Sequence, residues 1–259
     1  MPTYDAILPA GGRIDPAFAE RVGTDVKALI KFGDKTILER TLEALSGTER
    51  VGRTIVIGGQ EVQAAASGLA SEVLSEGASG PDNILKGLKH LLASPNPPKK
   101  VMVVTTDLPY LTPEILNRFL DACPDASDIC VPLINKKDWF VRFPNSTATF
   151  ATLSDGTWTT GCAYLIDVSA LESAMPQIER VFKNRKNVIG MARLLGPKFL
   201  FKFVRKTLNV PDVELKISSM LGCKGAAIRN APTELAYDID ALDDYEYAIG
   251  HFSGGPLSS

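Results

Sequence analysis

A chain of 259 residues is long enough for one large α/β domain, and 45% hydrophobic with 22% charged residues is the balance of an ordinary globular protein. A formal charge of −2 supplies no overall field for nucleic acid, and no apolar run approaches the roughly 20 residues needed to span a bilayer. Cys123, Cys130, Cys162 and Cys223 form no CxxC pair, which argues against zinc and points to small buried thiols in a reducing compartment. No basic segment followed by an apolar one opens the chain, so a cytoplasmic location is expected.

Residues 4–8 read as a short buried strand opening into Gly11-Gly12. Residues 36–45 carry Ile37, Leu38, Leu42 and Leu45 at helical spacing. The β-branched run 54–57 stops at Gly58-Gly59 and reads as a second strand. A helix over 61–69, a brief strand over 72–74 and a helix over 82–92 follow. Residues 101–105 are continuously apolar, as in a parallel strand covered on both faces. Thr112 caps a further helix, with Pro113 in its first turn. This alternation predicts a mostly parallel sheet flanked by helices, with ligands at the carboxyl ends of the strands. Gly11-Gly12 and Asp107 both fall at such ends.

Past residue 125 the pattern changes. Residues 128–134 and 163–166 read as strands separated by a polar, turn-rich stretch, and 169–183 as a helix. Residues 187–221 read as two or three helices, 235–239 as a last strand, 243–249 as a last helix and 251–259 as a frayed tail.

The residues able to carry chemistry are few. Gly11-Gly12 would let backbone amides approach an anion and would permit φ > 0, although the spacing is neither GxGxxG nor GxxxxGK[ST]. Arg13 and Lys27 are cations placed to neutralise phosphate oxygens, or else solvated surface charges. Asp107 ends a buried strand, where a carboxylate needs a hydrogen bond or a metal. Magnesium takes one or two carboxylates plus phosphate oxygens. Asp238 and Asp240 stand on either side of Ile239 in the expected last strand and are expected to point to opposite faces, so that only one meets the cleft. Asp243 and Asp244 read as acids at a helix N-terminus, where they complement its dipole. Asn83 opens a helix after a loop containing Gly80, and its amide could read a base edge. His90 and His251 have no serine or cysteine motif nearby, so no hydrolytic triad is suggested. Residues 193–206 interleave Phe199, Phe201 and Phe203 with Lys198, Lys202 and Lys206. The favoured reading is a helix with one face in the core and a solvated basic face; contact with an anionic membrane, or a lipid-linked acceptor, is the second reading.

Together these motifs resemble the molybdopterin-guanylyltransferase-like (MobA-like) NTP transferases of the GT-A-like nucleotidyltransferase superfamily. Leu8-Pro9-Ala10-Gly11-Gly12 is similar to the family's opening L-x-A-G-G. Lys27-Ala28-Leu29 and Gly33-Asp34-Lys35-Thr36-Ile37 resemble its K-x-L and G-K-P segments. Asp107-Leu108-Pro109-Tyr110-Leu111-Thr112 resembles its metal motif, Asp238-Ile239-Asp240 with Asp244 its closing D-I-D-x-x-x-D, and Thr160-Gly161-Cys162 its acceptor-side turn. One departure stands out: residues 16–26 look inserted after Arg13, so the motif arginine is either Arg13 or Arg21 beside Val22-Gly23.

The resemblance implies a three-layer α/β fold, Rossmann-like, with one domain over 1–250 and a helical insertion over 170–230 on the acceptor side. It implies NTP bound by Leu8 through Arg13 (Leu8, Pro9, Ala10, Gly11, Gly12 and Arg13), Lys27, Gly80, Asn83 and Thr106, and a small-molecule acceptor met by Arg142, Thr160 and Gly161. Asp107 with Asp240 or Asp238 would hold Mg2+. The implied reaction transfers an NMP to a phosphate or hydroxyl with release of pyrophosphate, with Arg13, Lys27 and Asp107 as catalytic residues. A nucleotide-sugar glycosyltransferase and a nucleotide-binding regulator without turnover are the rival readings.

Overall fold

Ile7 and Leu8 are adjacent, fully buried and on opposite faces of the first strand, and that alternation builds the molecule. A computed structural model describes residues 3–184, 194, 196–229 and 231–252. In chain order the first half comprises β1 (Tyr4–Pro9), α1 (Pro16–Val22), β2 (Lys31–Phe32), β3 (Lys35–Thr36), α2 (Ile37–Ser46), β4 (Val51–Gly58), α3 (Gln60–Ala66), β5 (Glu72–Ser75), α4 (Gly80–Leu92), β6 (Lys100–Val104) and α5 (Pro113–Ala122). The second half adds β7 (Ile129–Asn135), α6 (Lys136–Arg142), β8 (Ala151–Leu153), β9 (Gly156–Thr160), β10 (Ala163–Asp167), α7 (Val168–Asn184), helices Pro197–Val204 and Val210–Leu221, β11 (Gly225–Ile228) and a final helix, Leu242–Phe252.

The main sheet runs β5-β4-β1-β6-β10-β7-β9-β8, with β11 paired to β7. The strands β5, β4, β1 and β6 are mutually parallel. Beyond β6 the direction alternates, because β10 pairs antiparallel to both β6 and β7. On one face, Leu8, Val56 and Met102 pack with Leu38 and Leu42 of α2 and Leu116 and Phe119 of α5. On the other, Ile7, Ile55 and Val103 pack with Leu88 and Leu91 of α4 and Leu171 of α7. The result is the expected three-layer α/β arrangement. A third cluster, around Phe18, Phe32, Trp139, Phe143, Tyr237 and Ile239, lies beneath the loops at one end.

Local sequence sets the boundaries where it was legible. Thr36 caps α2 with a capping box closed by Glu39. Thr112 caps α5 through the Ile115 amide, and Pro113 sits in its first turn. All four cysteines are free thiols, with Cys130 buried and the other three half-buried.

Three expectations need correction, and two elements, α1 and β11, had none. Residues 235–239 are not a strand: Thr233–Ala236 is a 3₁₀ turn, and the chain beyond it makes single hydrogen bonds to two different partners instead of a ladder. The polar stretch between β7 and β10 holds α6 and the β8–β9 hairpin. The inserted-looking segment forms α1, capped by Asp15 through the Ala17 and Phe18 amides. Strand β11 was invisible because Gly-Ala-Ala-Ile lacks the β-branched alternation that signals a strand. Helix Pro197–Val204 has no fully buried residue, so no face of it lies in the core. Of the two or three helices expected over 187–221, Pro197–Val204 and Val210–Leu221 are present; residues 187–193 and 195, and the tail at 253–259, lie outside the described residues. No helix of the described residues is long and apolar enough to cross a membrane.

Candidate active site

β1 lies between β4 and β6, and its carboxyl end carries Ala10-Gly11-Gly12. The Ala10 amide donates to the Ile57 carbonyl at 2.8 Å, which holds the turn against the end of β4. Neither Gly11 nor Gly12 takes a positive φ, so left-handed freedom is not what this turn requires. Close approach is. A Cβ on Gly11 would sit 2.8 Å from Oε2 of Glu76 and 2.9 Å from Nδ2 of Asn83. Leu8 and Ala10 are fully buried, Pro9 is half-buried and Gly12 is exposed, so the turn offers backbone to the cleft.

Residues 14–25 leave this turn and return to it. Arg13 forms a β-bridge with Val26, and the Lys27 amide donates to the Gly12 carbonyl at 3.0 Å. The inserted helix α1 therefore loops out without displacing Lys27 from the glycines. Arg13 Nη1 donates to the Gly11 carbonyl at 3.0 Å, and Nη2 pairs with Glu76 at 3.3 Å. Arg21 instead faces Glu246 on the final helix at 3.9 Å. Of the two candidate arginines, Arg13 is the one beside the glycines. Glu76 was missed by sequence reading. Its signal was a Glu-Gly pair at the end of a strand, mirroring the turn after β1, but a lone glutamate after a short strand reads as solvated.

The carboxylates gather on the other side of Lys27. Asp107 follows β6, the parallel neighbour of β1. Its Oδ1 accepts from the Thr105 hydroxyl at 2.5 Å, and its Oδ2 from Lys27 Nζ at 3.2 Å. Lys27 also pairs with Asp240. The Ile239 amide donates to the Asp107 carbonyl at 3.1 Å, which brings the chain's end to this site. Carboxylate oxygens of Asp107, Asp238 and Asp240 lie within 4.8 Å of one another. The expectation that Asp238 and Asp240 oppose each other is thus corrected. Residues two apart in an extended segment share a face, and here Tyr237 and Ile239 turn inward while both acids turn to the cleft.

The electrostatics follow from this crowding. Burial opposes the charge on Lys27, but Asp107 and Asp240 outweigh it and hold the amine above the ordinary lysine value. Burial, then Asp107 and Asp240, push the Asp238 carboxyl up to about 7. Three hard oxygen donors with excess negative charge fit a magnesium-type cation. Asp238 binds its proton more firmly folded than unfolded, so its stabilising contribution is complete below the unfolded value and is lost as pH rises through about 7. Asp238→Asn is therefore expected to raise the Tm of the metal-free protein by a few degrees above neutral pH, with the gain vanishing in acid. Thermal melts at both ends of that window check it; an equal shift at both would remove ionisation as the cause.

The other expected positions are more dispersed. Asn83 is buried and its Oδ1 accepts from the Gly77 amide at 2.6 Å, so half of the amide proposed to read a base is engaged within the protein. Gly80 lies in the first turn of α4, which Ser79 caps. Thr106 is buried beside Asp107. Arg142 ends α6, pairs with Glu234 and lies over the rings of Tyr110 and Phe143. Thr160 ends β9 and is exposed. Gly161 is walled in, because a Cβ there would lie 2.8 Å from both the Leu235 carbonyl oxygen and Pro132 Cβ. Next to it, the Cys162 amide donates to that same Leu235 carbonyl at 2.7 Å. Gly161→Ala should therefore lower stability by about 1–3 kcal/mol through overpacking, which a denaturant melt would reveal as a lower midpoint.

Against known proteins, residues 6–182 match the model of the MobA-like NTP transferase domain. A hypothetical transferase from Thermus thermophilus is similar at 29% identity and a TM-score of 0.81, covering 93% of this chain and 99% of that one. A nucleotidyl transferase from Methanothermobacter thermautotrophicus shares the fold at 18% identity and TM-score 0.57, over 97% of this chain and 98% of that one. So does a 2-C-methyl-D-erythritol 4-phosphate cytidylyltransferase, also from Thermus thermophilus, at 18% identity and TM-score 0.57, over 98% of this chain and all (100%) of that one. A search of curated protein sequences finds no match. With the family model spanning the glycine turn, Lys27, Asp107 and Gly161, the chain belongs to the MobA-like NTP transferase family and is a nucleotidyltransferase.

Proposed function

We propose that this enzyme transfers an NMP from an NTP to a phosphate or hydroxyl group of a small-molecule acceptor, with magnesium, releasing pyrophosphate. One observation carries the reading: Lys27 touches the glycine turn through its amide and the carboxylate cluster through its amine. A triphosphate laid along that line would meet backbone amides at Gly11 and Gly12, the guanidinium of Arg13 and the ammonium of Lys27. Asp107, Asp238 and Asp240 are the residues that would hold the metal. When bound, magnesium supplies charge neutralisation at the phosphates.

In the transfer, an acceptor oxygen attacks the α-phosphorus in line, a new P–O bond forms, and the bond to the bridging oxygen of pyrophosphate breaks. The chain's own work is to fix that line and balance charge as it moves toward the leaving group. No side chain needs to form a covalent intermediate. A structural relative is described in complex with CTP, which supports an NTP as donor here. The acceptor would enter from the side of Thr160, Gly161 and Arg142.

The experiment is a thermal-shift screen of the four NTPs with and without magnesium, followed by pyrophosphate release on a panel of phosphorylated and hydroxyl acceptors. One NTP should raise the Tm, and more so with magnesium. If no NTP binds, or if bound nucleotide yields free nucleoside diphosphate instead of pyrophosphate, the reading is wrong.

A further inference from the structure

We propose that helix Pro197–Val204, with Arg205 and Lys206 that follow it, forms a docking surface for an anionic lipid bilayer. Among the described residues, this helix departs from the others by burying nothing fully. Phe201 is 57% exposed, Phe203 53% and Val204 78%. At 100° per residue, Phe199, Phe203, Leu200, Val204 and Phe201 share one arc, and Lys198, Lys202 and Arg205 share the other. Phe199 and Leu200 are only half-buried, so the apolar arc is left largely to solvent.

The charge on it is one-sided. Residues 196–211 carry Lys198, Lys202, Arg205 and Lys206 and no aspartate or glutamate, in a chain whose net charge is −2. Lys202 is anchored to Asp212 on the next helix at 2.6 Å. The guanidinium of Arg205 lies 4.3 Å from the Phe201 ring centroid, beside the apolar arc. Lys198, Arg205 and Lys206 have no carboxylate partner among the described residues.

Apolar side chains standing in water next to unpaired cations call for a partner that is apolar inside and anionic at its rim. A bilayer with acidic headgroups offers both, with rings and Val204 at the acyl boundary and lysine stems reaching back to the headgroups. A second copy of the same face would bring like charges together. Nucleic acid would match the cations and could stack on a ring, but it has no apolar medium for Val204. Lipid binding of this kind needs two signals, and the exposed arc and the basic stretch are two. The surface shares no residue with the glycine turn or the carboxylates, so this reading does not depend on what the enzyme transfers.

Sedimentation of the full-length protein with vesicles tests it. The protein should pellet with vesicles containing one third phosphatidylserine and remain in solution with pure phosphatidylcholine, and added salt should release it. Phe201→Ser with Phe203→Ser should abolish pelleting. Lys198→Ala with Arg205→Ala should weaken it by about thirtyfold, as expected for two cations near an anionic surface. Both variants should keep the wild-type Tm, since the substituted side chains are solvent-facing. The proposal fails if wild type does not pellet with the anionic vesicles. It fails equally if pelleting survives the double phenylalanine variant. It also fails if those phenylalanines prove to control self-association or duplex binding instead.

Discussion

Asp107→Ala is expected to abolish magnesium-dependent pyrophosphate release while leaving the chain folded. Asp107 is the acid on which the others converge: its side chain is 14% exposed, it meets Lys27 and Thr105, and its carbonyl receives the Ile239 amide. The last of these is a backbone contact, so it survives the substitution. Lys27 keeps Asp240 as a partner, so the change leaves no buried charge without a counterion. What is lost is one of three oxygen donors at the centre of the proposed metal site. Transition-state stabilisation by a metal is worth several kcal/mol, so the rate should fall by about 10³-fold or more. Pyrophosphate release measures the rate, titration of NTP with and without magnesium measures the metal's share of binding, and a circular dichroism melt checks the fold. Magnesium-dependent turnover in a folded variant would take Asp107 out of the site.

Lys27→Met should weaken NTP binding by about 100-fold, because a charge-assisted hydrogen bond to phosphate contributes about 1.5–3 kcal/mol. The same change leaves Asp107, Asp238 and Asp240 without their shared cation. The metal-free variant should therefore melt lower than wild type above neutral pH, and magnesium should raise its Tm by more than it raises that of wild type. Lys27→Arg is not expected to rescue binding, since a planar fork does not replace a compact ammonium held between carboxylates. Equilibrium titration and paired melts with and without magnesium read both effects. Unchanged NTP affinity in Lys27→Met would mean that the amine serves only the carboxylates.

Much of the scaffold was legible because it is local. The runs that became β1, β4 and β6 are apolar on both faces, and only strands covered on both sides tolerate that pattern. Thr36 with Glu39, and Thr112 with Pro113, announced their helices through capping chemistry that acts within one turn. The second half resisted reading for the opposite reason. β11 owes its place to β7, remote in sequence, and Gly-Ala-Ala-Ile carries no strand signal of its own; the β8–β9 hairpin did carry a local one, Asp155-Gly156 before Thr157-Trp158-Thr159-Thr160, obscured by the polar residues around it. The helix Pro197–Val204 has the periodicity of a core-packed helix and yet is left outside, because periodicity reports that a face is apolar and not what covers it.

The residue types available to the site, a glycine turn after one buried strand and a carboxylate after another, could be read directly along the chain, since both are fixed by the ends of local elements. Which of them meet was set by contacts between distant segments. The fold placed Glu76 and Asn83 against Gly11, set Arg13 and not Arg21 beside the turn, and aimed Asp238 and Asp240 together at Asp107. The physical reason is that each of these contacts joins segments far apart along the chain, and their meeting depends on strand order and on which side chains the aromatic cluster under Tyr237 and Ile239 draws inward.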